Sequence, residues 1–506
     1  APPPLGSLIP SHSRLTSGRG FPPDPPAMPW ITDHPVLTVL GVLATHAIGA
    51  LHVLHALLHA RTSQGTIAWI VSLIAFPYLA IPFYWFLGRH RFHGYIEARR
   101  TENAGFNRQM AALQRGLSRF EVMPEGPHAG FLEACRRLAD LPLTRGNRVE
   151  LLVNGESTFR SMFDAIDSAR HYLLVLFFIV KGDRLGNRFK DALIAKARAG
   201  VRVHFLYDQI GSHKIPRRFL RELAAAGIEI DTFGANRLWW SRFQINFRNH
   251  RKIVIADGRI ALVGGLNIGD EYLDGHPKLG PWRDTHLRLA GPCVDVVQLA
   301  FLEDWYWATG RVPELSWSSD PEIDDQQVLV LATGPADPFD GWQLAVVNAA
   351  SDARERLWIA SPYFVPDEAV VGALQAAALR GVDVRILLPN RPDHLLVWLS
   401  SFSYYEDTIP HGVRLFRFRE GFMHQKVVLL DSEVAIVGTA NLDNRSFHLN
   451  FEISVVLPDH RAAADVARML EHDFARSRQV SLDEYVKRGL PFRVSCRLAR
   501  LLAPIQ

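Results

Sequence analysis

His250-Arg251-Lys252-Ile253-Val254-Ile255-Ala256-Asp257 continues through six residues into Gly264-Gly265-Leu266-Asn267. Further along, His424-Gln425-Lys426-Val427-Val428-Leu429-Leu430-Asp431 continues through six residues into Gly438-Thr439-Ala440-Asn441. Both stretches read H-x-K-x4-D-x6-G-[GT]-x-N without a gap. Lysine is scarce in this chain: arginine supplies most of its 56 basic residues, so a lysine at the same place twice is not an accident of composition.

The repetition extends outward from the two stretches. Ala169-Arg170-His171-Tyr172-Leu173 resembles Ala353-Arg354-Glu355-Arg356-Leu357, and Arg198-Ala199-Gly200-Val201-Arg202-Val203 resembles Leu379-Arg380-Gly381-Val382-Asp383-Val384. Gly227-Ile228-Glu229-Ile230 likewise resembles Gly412-Val413-Arg414-Leu415, always about 180 residues apart. One order at one offset means two tandem copies of a domain. The first copy carries an insertion rich in aromatic and basic residues between Gly234 and Asn249. Within that copy, Val149–Val153, Tyr172–Val180 and Val201–Tyr207 read as strands, with Ser157–Ala169 and Asn187–Ala199 as helices between them. This alternation predicts an α/β fold with a mixed or mostly parallel sheet.

The spacing carries chemistry. In a strand His250–Ile255, residues 250 and 252 share a face, so imidazole and ammonium address one site. Imidazole serves as nucleophile or as general acid and base near neutral pH. Lysine brings a compact positive charge to phosphoryl oxygens. The small residues Gly264, Gly265, Gly438 and Thr439 are expected to let the backbone approach an anion, beside Asn267 and Asn441. One copy makes half of a phosphodiester site, and two facing copies supply a nucleophile and a proton donor. The two lysines take the place of a metal's charge, so neither metal nor cofactor is expected and turnover should persist in EDTA.

Before the copies lie two apolar segments, Val36–Ala60 and Thr66–Leu87, without Asp, Glu, Lys or Arg and joined by Arg61–Gly65. Each reaches the ~20 residues a membrane-spanning helix needs, and together they predict a hairpin. Arg89, Arg91, Arg99, Arg100, Arg108, Arg115 and Arg119 follow it, which by the positive-inside rule places the rest of the chain in the cytoplasm. These arginines are also within reach of anionic headgroups. His46, His52, His55 and His59 of the first segment are expected to form a polar packing face. The expected organisation is a Pro-rich disordered leader (1–35), the hairpin (36–88), a basic juxtamembrane linker (89–147), and two domains, 148–325 and 326–506. Arg493–Leu502 suits either an interfacial amphipathic helix or a helix packed on the core.

Composition narrows the function. With 56 basic against 52 acidic residues the chain is no basic nucleic-acid coat, and three cysteines make neither a disulfide framework nor a zinc site. The two motifs resemble the HKD motifs of the phospholipase D superfamily. Gly264–Tyr272, Trp282-Arg283-Asp284, Pro362–Asp367 and Asn441–Phe447 resemble the bacterial cardiolipin synthases in particular. The resemblance implies tandem α/β/α sandwich domains with a pseudo-twofold active site, behind a transmembrane helical hairpin. It implies phosphatidyl transfer between two phosphatidylglycerol molecules through a phosphatidyl-histidine, at the bacterial inner membrane, with multi-pass topology. Hydrolysis by the same motifs stays open as the alternative. His250 is then the expected nucleophile and His424 the acid/base, with Lys252 and Lys426 beside them. Asp257 and Asp431 complete the motif as turn anchors. Asn267, Asn441, Gly265 and Thr439 are expected to hold the phosphate, and Asp284 and Glu452 to orient the imidazoles. Phosphatidylglycerol and anionic membrane lipids are the expected partners, with no nucleic acid; oligomeric state is left open.

Overall fold

The computed structural model describes residues 34–60, 62–88, 104–234, 246–317 and 320–506. The Pro-rich leader, the arginines between 89 and 100 and most of the insertion after Gly234 lie outside the described residues. The chain divides into two compact units, Ala1–Phe83 and Tyr84–Gln506.

In the first unit, helix Pro35–His59 has 25 residues and a mean hydropathy of 1.8 over its most apolar window, enough to cross a bilayer. The chain returns through helix Ser63–Ala75, whose first turn is capped by the Thr62 hydroxyl accepting from the Gly65 N–H. The two helices approach closely at Gly49, where a Cβ would stand 2.8 Å from the Leu73 carbonyl oxygen. The second apolar segment, expected as one helix, is divided at Phe76 into Ser63–Ala75 and Pro77–Leu87. Pro77 is the physical reason: its ring excludes the preceding residue from helical geometry, and Phe76 sits at φ −139°, ψ 57°. His46, His52 and His59 turn Nδ1 to the carbonyls of Val42, Ile48 and His55, so these rings are satisfied by their own helix.

The second unit holds the duplication. Its first half has seven principal strands: β1 (Leu143–Val153), β2 (Tyr172–Phe177), β3 (Arg202–Asp208), β4 (Glu229–Phe233), β5 (Ile253–Ala256), β6 (Ile260–Gly264) and β7 (Thr285–Ala290). The second half repeats them as β8 (Gln326–Thr333), β9 (Arg356–Ala360), β10 (Asp383–Pro389), β11 (Arg414–Phe418), β12 (Val427–Leu430), β13 (Val434–Gly438) and β14 (Asn450–Leu457). The first half is ordered β4-β3-β2-β5-β6-β7-β1. The second is ordered β11-β10-β9-β12-β13-β14-β8, the same arrangement strand for strand. Among the pairings of these fourteen strands with one another, parallel ones are confined to β2-β3-β4 and β9-β10-β11, so each sheet is mixed. The two sheets join where Gln326 and Val328 pair with Asn147 and Thr144.

Period-two alternation builds the layers. On β2, Leu173, Val175 and Phe177 pack in the same core as helices Asn154–Ser168 and Arg184–Arg198. Leu174 and Leu176 face the opposite way, into a central core shared with Leu429, Val437, Ile453 and Val455 of the second half and with helix Cys293–Thr309. The outer face of the second sheet buries Leu357, Ile359, Val384 and Ile386 beneath its own helices. Helices Asn154–Ser168 and Arg184–Arg198 begin about three residues earlier than the sequence suggested; at the second, Asp183 is the cap, accepting from the Gly186 N–H at 2.9 Å.

The stretch expected as a linker is built into these cores. Helix Ala104–Leu117 contributes Phe106, Leu113 and Leu117 to the central one, and helix Ala129–Ala139 contributes Phe131, Leu132 and Cys135 to that of the second half. Strand β1 already starts at Leu143, so residue 148 is no boundary. All three cysteines are buried and free.

Candidate active site

Each H-x-K stretch crosses to the other half before its strand begins. Arg248 and Asn249 pair in parallel with Asn450 and Phe451, and the His250 N–H donates to the Phe451 carbonyl at 2.9 Å. Phe422 and Met423 pair in parallel with Trp282 and Arg283, and the His424 N–H donates to the Arg283 carbonyl at 2.8 Å. Continuing each register by one residue sets His250 beside Glu452 and His424 beside Asp284. The regular strand expected from His250 therefore starts only at Ile253; residues 250–252 belong to the crossing.

The pairing of imidazoles and carboxylates is crossed as a result. His250 Nδ1 lies 2.9 Å from Glu452 Oε2 and 3.0 Å from Oε1, while His424 Nδ1 lies 2.7 Å from Asp284 Oδ2. A carboxylate only accepts, so each Nδ1 carries the proton and each Nε2 keeps its lone pair for chemistry. Glu452 is itself held by Thr439 Oγ1 at 2.6 Å, Ser446 Oγ at 2.8 Å and Asn450 Nδ2 at 3.2 Å. Both lysines fold back on their own motif: Lys252 Nζ donates to the His250 carbonyl, Lys426 Nζ to that of His424, and Lys426 Nζ lies 3.0 Å from His424 Nδ1.

Burial governs the protonation states. It lowers His250 to about 4 and also lowers His424, so both imidazoles are neutral nucleophiles or bases at pH 7. It pulls Lys252 to about 7 and Lys426 to about 8. Burial works the other way on the carboxylates, but Lys426 and His424 hold Asp284 low and His250 and Lys252 hold Glu452 low. The result is a buried cluster with two anchored anions and two ammonium groups that a phosphodiester anion would keep charged.

The remaining motif residues divide. Asp257 and Asp431 sit in the left-handed region at φ 55° and 51°, where aspartate is tolerated. Asp257 accepts from the backbone N–H groups of Arg170, His171 and Tyr172, and Asp431 from those of Arg354, Glu355 and Arg356. Each pins the start of its neighbouring strand. Gly265 and Thr439, expected beside the phosphate, serve the carboxylates instead. A Cβ on Gly265 would stand 2.0 Å from Asp284 Oδ1, and its N–H donates to the Thr285 carbonyl. The Thr439 hydroxyl donates to Glu452 and its N–H to Ile453. Asn267 accepts from the Ile179 N–H and donates to the Tyr272 hydroxyl, whereas Asn441 Oδ1 is buried without a hydrogen-bond partner among the described residues.

Several supports have no counterpart in the sequence reading. Arg251 reaches Asp304 at 2.8 Å and the Glu452 carbonyl at 3.0 Å. Arg283 binds Asp473 through two bonds of 2.8 and 2.7 Å, and Gln425 joins the same carboxylate. The rings of Phe178 and Trp282 lie 5.0 Å from His250 and 5.5 Å from His424, respectively. Spacing gives no signal for Asp304 or Asp473, which sit on helices far from either motif. Among the described residues one group has metal-ligand geometry, His128 with Asp431 and Glu433 at 3.3 Å from its Nε2. It lies behind the Asp431 turn, and Asp352 holds the other ring nitrogen at 2.6 Å.

Comparison with known proteins follows the same division. The family model described as cardiolipin synthase, phospholipase D-like domain, matches residues 162–276 and 346–474, one segment in each half. A phospholipase D-nuclease N-terminal model matches residues 47–89. Cardiolipin synthase A of Pseudomonas putida is 44% identical over 471 residues, covering 92% of this chain and 97% of the relative. Cardiolipin synthase A of Pseudomonas aeruginosa (strain LESB58) is 46% identical over 474 residues, covering 92% and 96%. Among solved structures, phosphatidylserine synthase of Haemophilus influenzae Rd KW20 aligns with a TM-score of 0.58 at 14% identity, over 74% of this chain and all of the other, a likeness of fold.

Proposed function

The chain belongs to the cardiolipin synthase family of phospholipase D-like proteins, and from that premise we propose how its two halves carry out phosphatidyl transfer between two phosphatidylglycerol molecules. The observation that carries the reading is the crossed pair: His250 on Glu452 and His424 on Asp284, with a buried lysine beside each imidazole.

His250 Nε2 attacks phosphorus, forming a phosphatidyl-histidine as the bond to the headgroup glycerol breaks. His424, protonated once the phosphodiester anion binds beside it, delivers that proton to the departing glycerol oxygen. It then takes the proton from a headgroup hydroxyl of the second phosphatidylglycerol, whose oxygen attacks phosphorus and releases His250. The products are cardiolipin and glycerol. Lys252 and Lys426 balance charge on the phosphoryl oxygens, Asn441 addresses the phosphate, and Glu452 stabilises the charge that forms on His250. Incubating membranes that contain the protein with labelled phosphatidylglycerol tests this: cardiolipin and glycerol in equal amounts are expected. Phosphatidic acid as the main product would make water the acceptor and the protein a hydrolase.

The protein is a membrane-associated enzyme with an N-terminal apolar helix and phospholipid substrates. The finer reading is a two-pass hairpin at the bacterial inner membrane with the catalytic unit in the cytoplasm, supported by the arginines between 89 and 119. Cysteine placed at the exposed Ser63 should react with an impermeant label from outside, and cysteine at the exposed Ser351 only after permeabilisation. The reverse pattern would overturn this topology.

A further inference from the structure

The C-terminal helix Leu490–Arg500 is attached by the faces one would expect to meet water. Its small residues Cys496 and Ala499 are buried, Arg493 and Arg497 reach Glu406, and Arg500 donates to Asp407 at 2.6 Å. Phe492 packs at 5.3 Å from Phe402 and 6.4 Å from Trp398, fixing the helix on helix Leu395–Phe402. The apolar stripe is left outside: Leu490 is 71% exposed, Leu498 59% and Leu501 75%, at the spacing of one helical face. Helix Leu395–Phe402 adds Leu395, 60% exposed, and Leu396. A helix serving only the core would turn its leucines inward.

We propose that these two paired helices are the face by which the catalytic unit docks on an anionic phospholipid bilayer, beside the entrance through which lipid reaches His424. Two further observations name the occupant. Leu395 directly follows Asp393 and His394; Asp393 accepts from the Tyr363 hydroxyl at 2.5 Å and is close enough to act electrostatically on His424 and Lys426. The exposed leucines thus begin two residues after a carboxylate whose charge reaches His424 and Lys426. Cations edge the same region: Arg391, exposed and bonded to the Lys278 carbonyl, Lys278 itself, and Arg488, stacked over Phe402 and Phe492. Leucines with cations at their edge suit acyl chains below anionic headgroups. This rests on the phosphatidyl-transfer reading, because the substrate is itself a lipid of that surface.

The test uses the full-length protein reconstituted into phosphatidylglycerol vesicles, with Leu490→Ser, Leu498→Ser and Leu501→Ser combined. Turnover of vesicle lipid should fall at least ~tenfold. Turnover of a short-chain phosphatidylglycerol dissolved as monomers should stay at the wild-type level, because the substituted side chains lie on the surface and outside the catalytic group. Equal activity on vesicles, or equal loss on both substrates, would overturn the proposal. Docking is also read without turnover: a dye on Leu498→Cys should be quenched by lipids carrying a nitroxide on the acyl chain, whereas a dye at the exposed Arg160→Cys should not. No quenching at 498, with cross-links between copies there instead, would assign the face to a second copy and overturn docking on lipid. Quenching without glycerol release from either substrate would uphold docking and refute phosphatidyl transfer.

Discussion

The two halves of the catalytic unit agree strand for strand, yet their histidines are not held alike. His250 meets both oxygens of a glutamate that three further side chains grip. His424 meets one oxygen of an aspartate, with Lys426 Nζ close to the same ring nitrogen. The residue between histidine and lysine differs too: Arg251 makes a buried ion pair with Asp304, whereas Gln425 shares Asp473 with Arg283. Duplication has kept the parts that set position, the Asp257 and Asp431 turns above all. It has let the surroundings of the imidazoles diverge, which suits the division of labour proposed between nucleophile and acid/base.

Removing either imidazole gives the largest expected effect. His250→Ala should abolish turnover and the covalent lipid adduct. His424→Ala should block cardiolipin formation yet still form adduct from a lipid with a nitrophenol headgroup, which needs no protonation to leave. Acid-quenched labelling reads both; adduct in His250→Ala and none in His424→Ala would exchange the roles of the halves. The next effect tests the crossing. Glu452→Gln should slow adduct formation whatever the leaving group, by roughly a hundredfold or more, and Asp284→Asn should slow it mainly for a poor one. The opposite pattern would break the crossed assignment.

A smaller effect tests the shared scaffold. Asp257→Ala and Asp431→Ala each leave backbone donors of a strand start without their acceptor, and each should cost about 2–3 kcal/mol of stability. Denaturant midpoints should fall together in the two variants, and a loss in only one would show that the halves are unequal in scaffold as well as in chemistry. The least effect is on pH dependence. Burial holds Lys252 near 7 and Lys426 near 8 in the free enzyme, so kcat/KM should decline as pH rises past 7 while kcat holds to higher pH, where bound phosphate keeps the ammonium groups charged. For stability the sign is opposite. The unfolded His250 side chain binds its proton near 6.5 and the folded one near 4, so the contribution present above 6.5 is lost as pH falls towards 4. His250→Gln should flatten the thermal-midpoint profile in that window.

Much of this molecule is legible along the chain because its constraints are local or repeated. H-x-K-x4-D places histidine, lysine and the turn aspartate within eight residues, and a second copy removes the ambiguity of a single match. What fails to read locally is what crosses between halves. Nothing near Gly265 reveals that its missing side chain makes room for Asp284, because that carboxylate arrives on another strand. Nothing near Thr439 shows that its hydroxyl serves Glu452. Asp304 and Asp473 lie on helices whose apolar pattern is that of ordinary core elements, so their pairing with buried arginines emerges only once the chain is folded. The linker misled for a related reason: charge dominates its composition, while the few apolar residues that bury it, Phe106, Leu113, Phe131 and Leu132, match surfaces made by distant segments.

The sequence by itself determined the duplication, the two H-x-K-x4-D motifs and an N-terminal helix apolar enough for a membrane, since each is written in residue types at fixed spacing. The tertiary structure alone decided which carboxylate serves which histidine. Two short parallel ladders, Arg248–Asn249 on Asn450–Phe451 and Phe422–Met423 on Trp282–Arg283, carry each motif into the opposite half before its own strand begins. Register between strands distant in sequence is set by packing and not by spacing along the chain, and it is that register that makes one catalytic centre out of two copies.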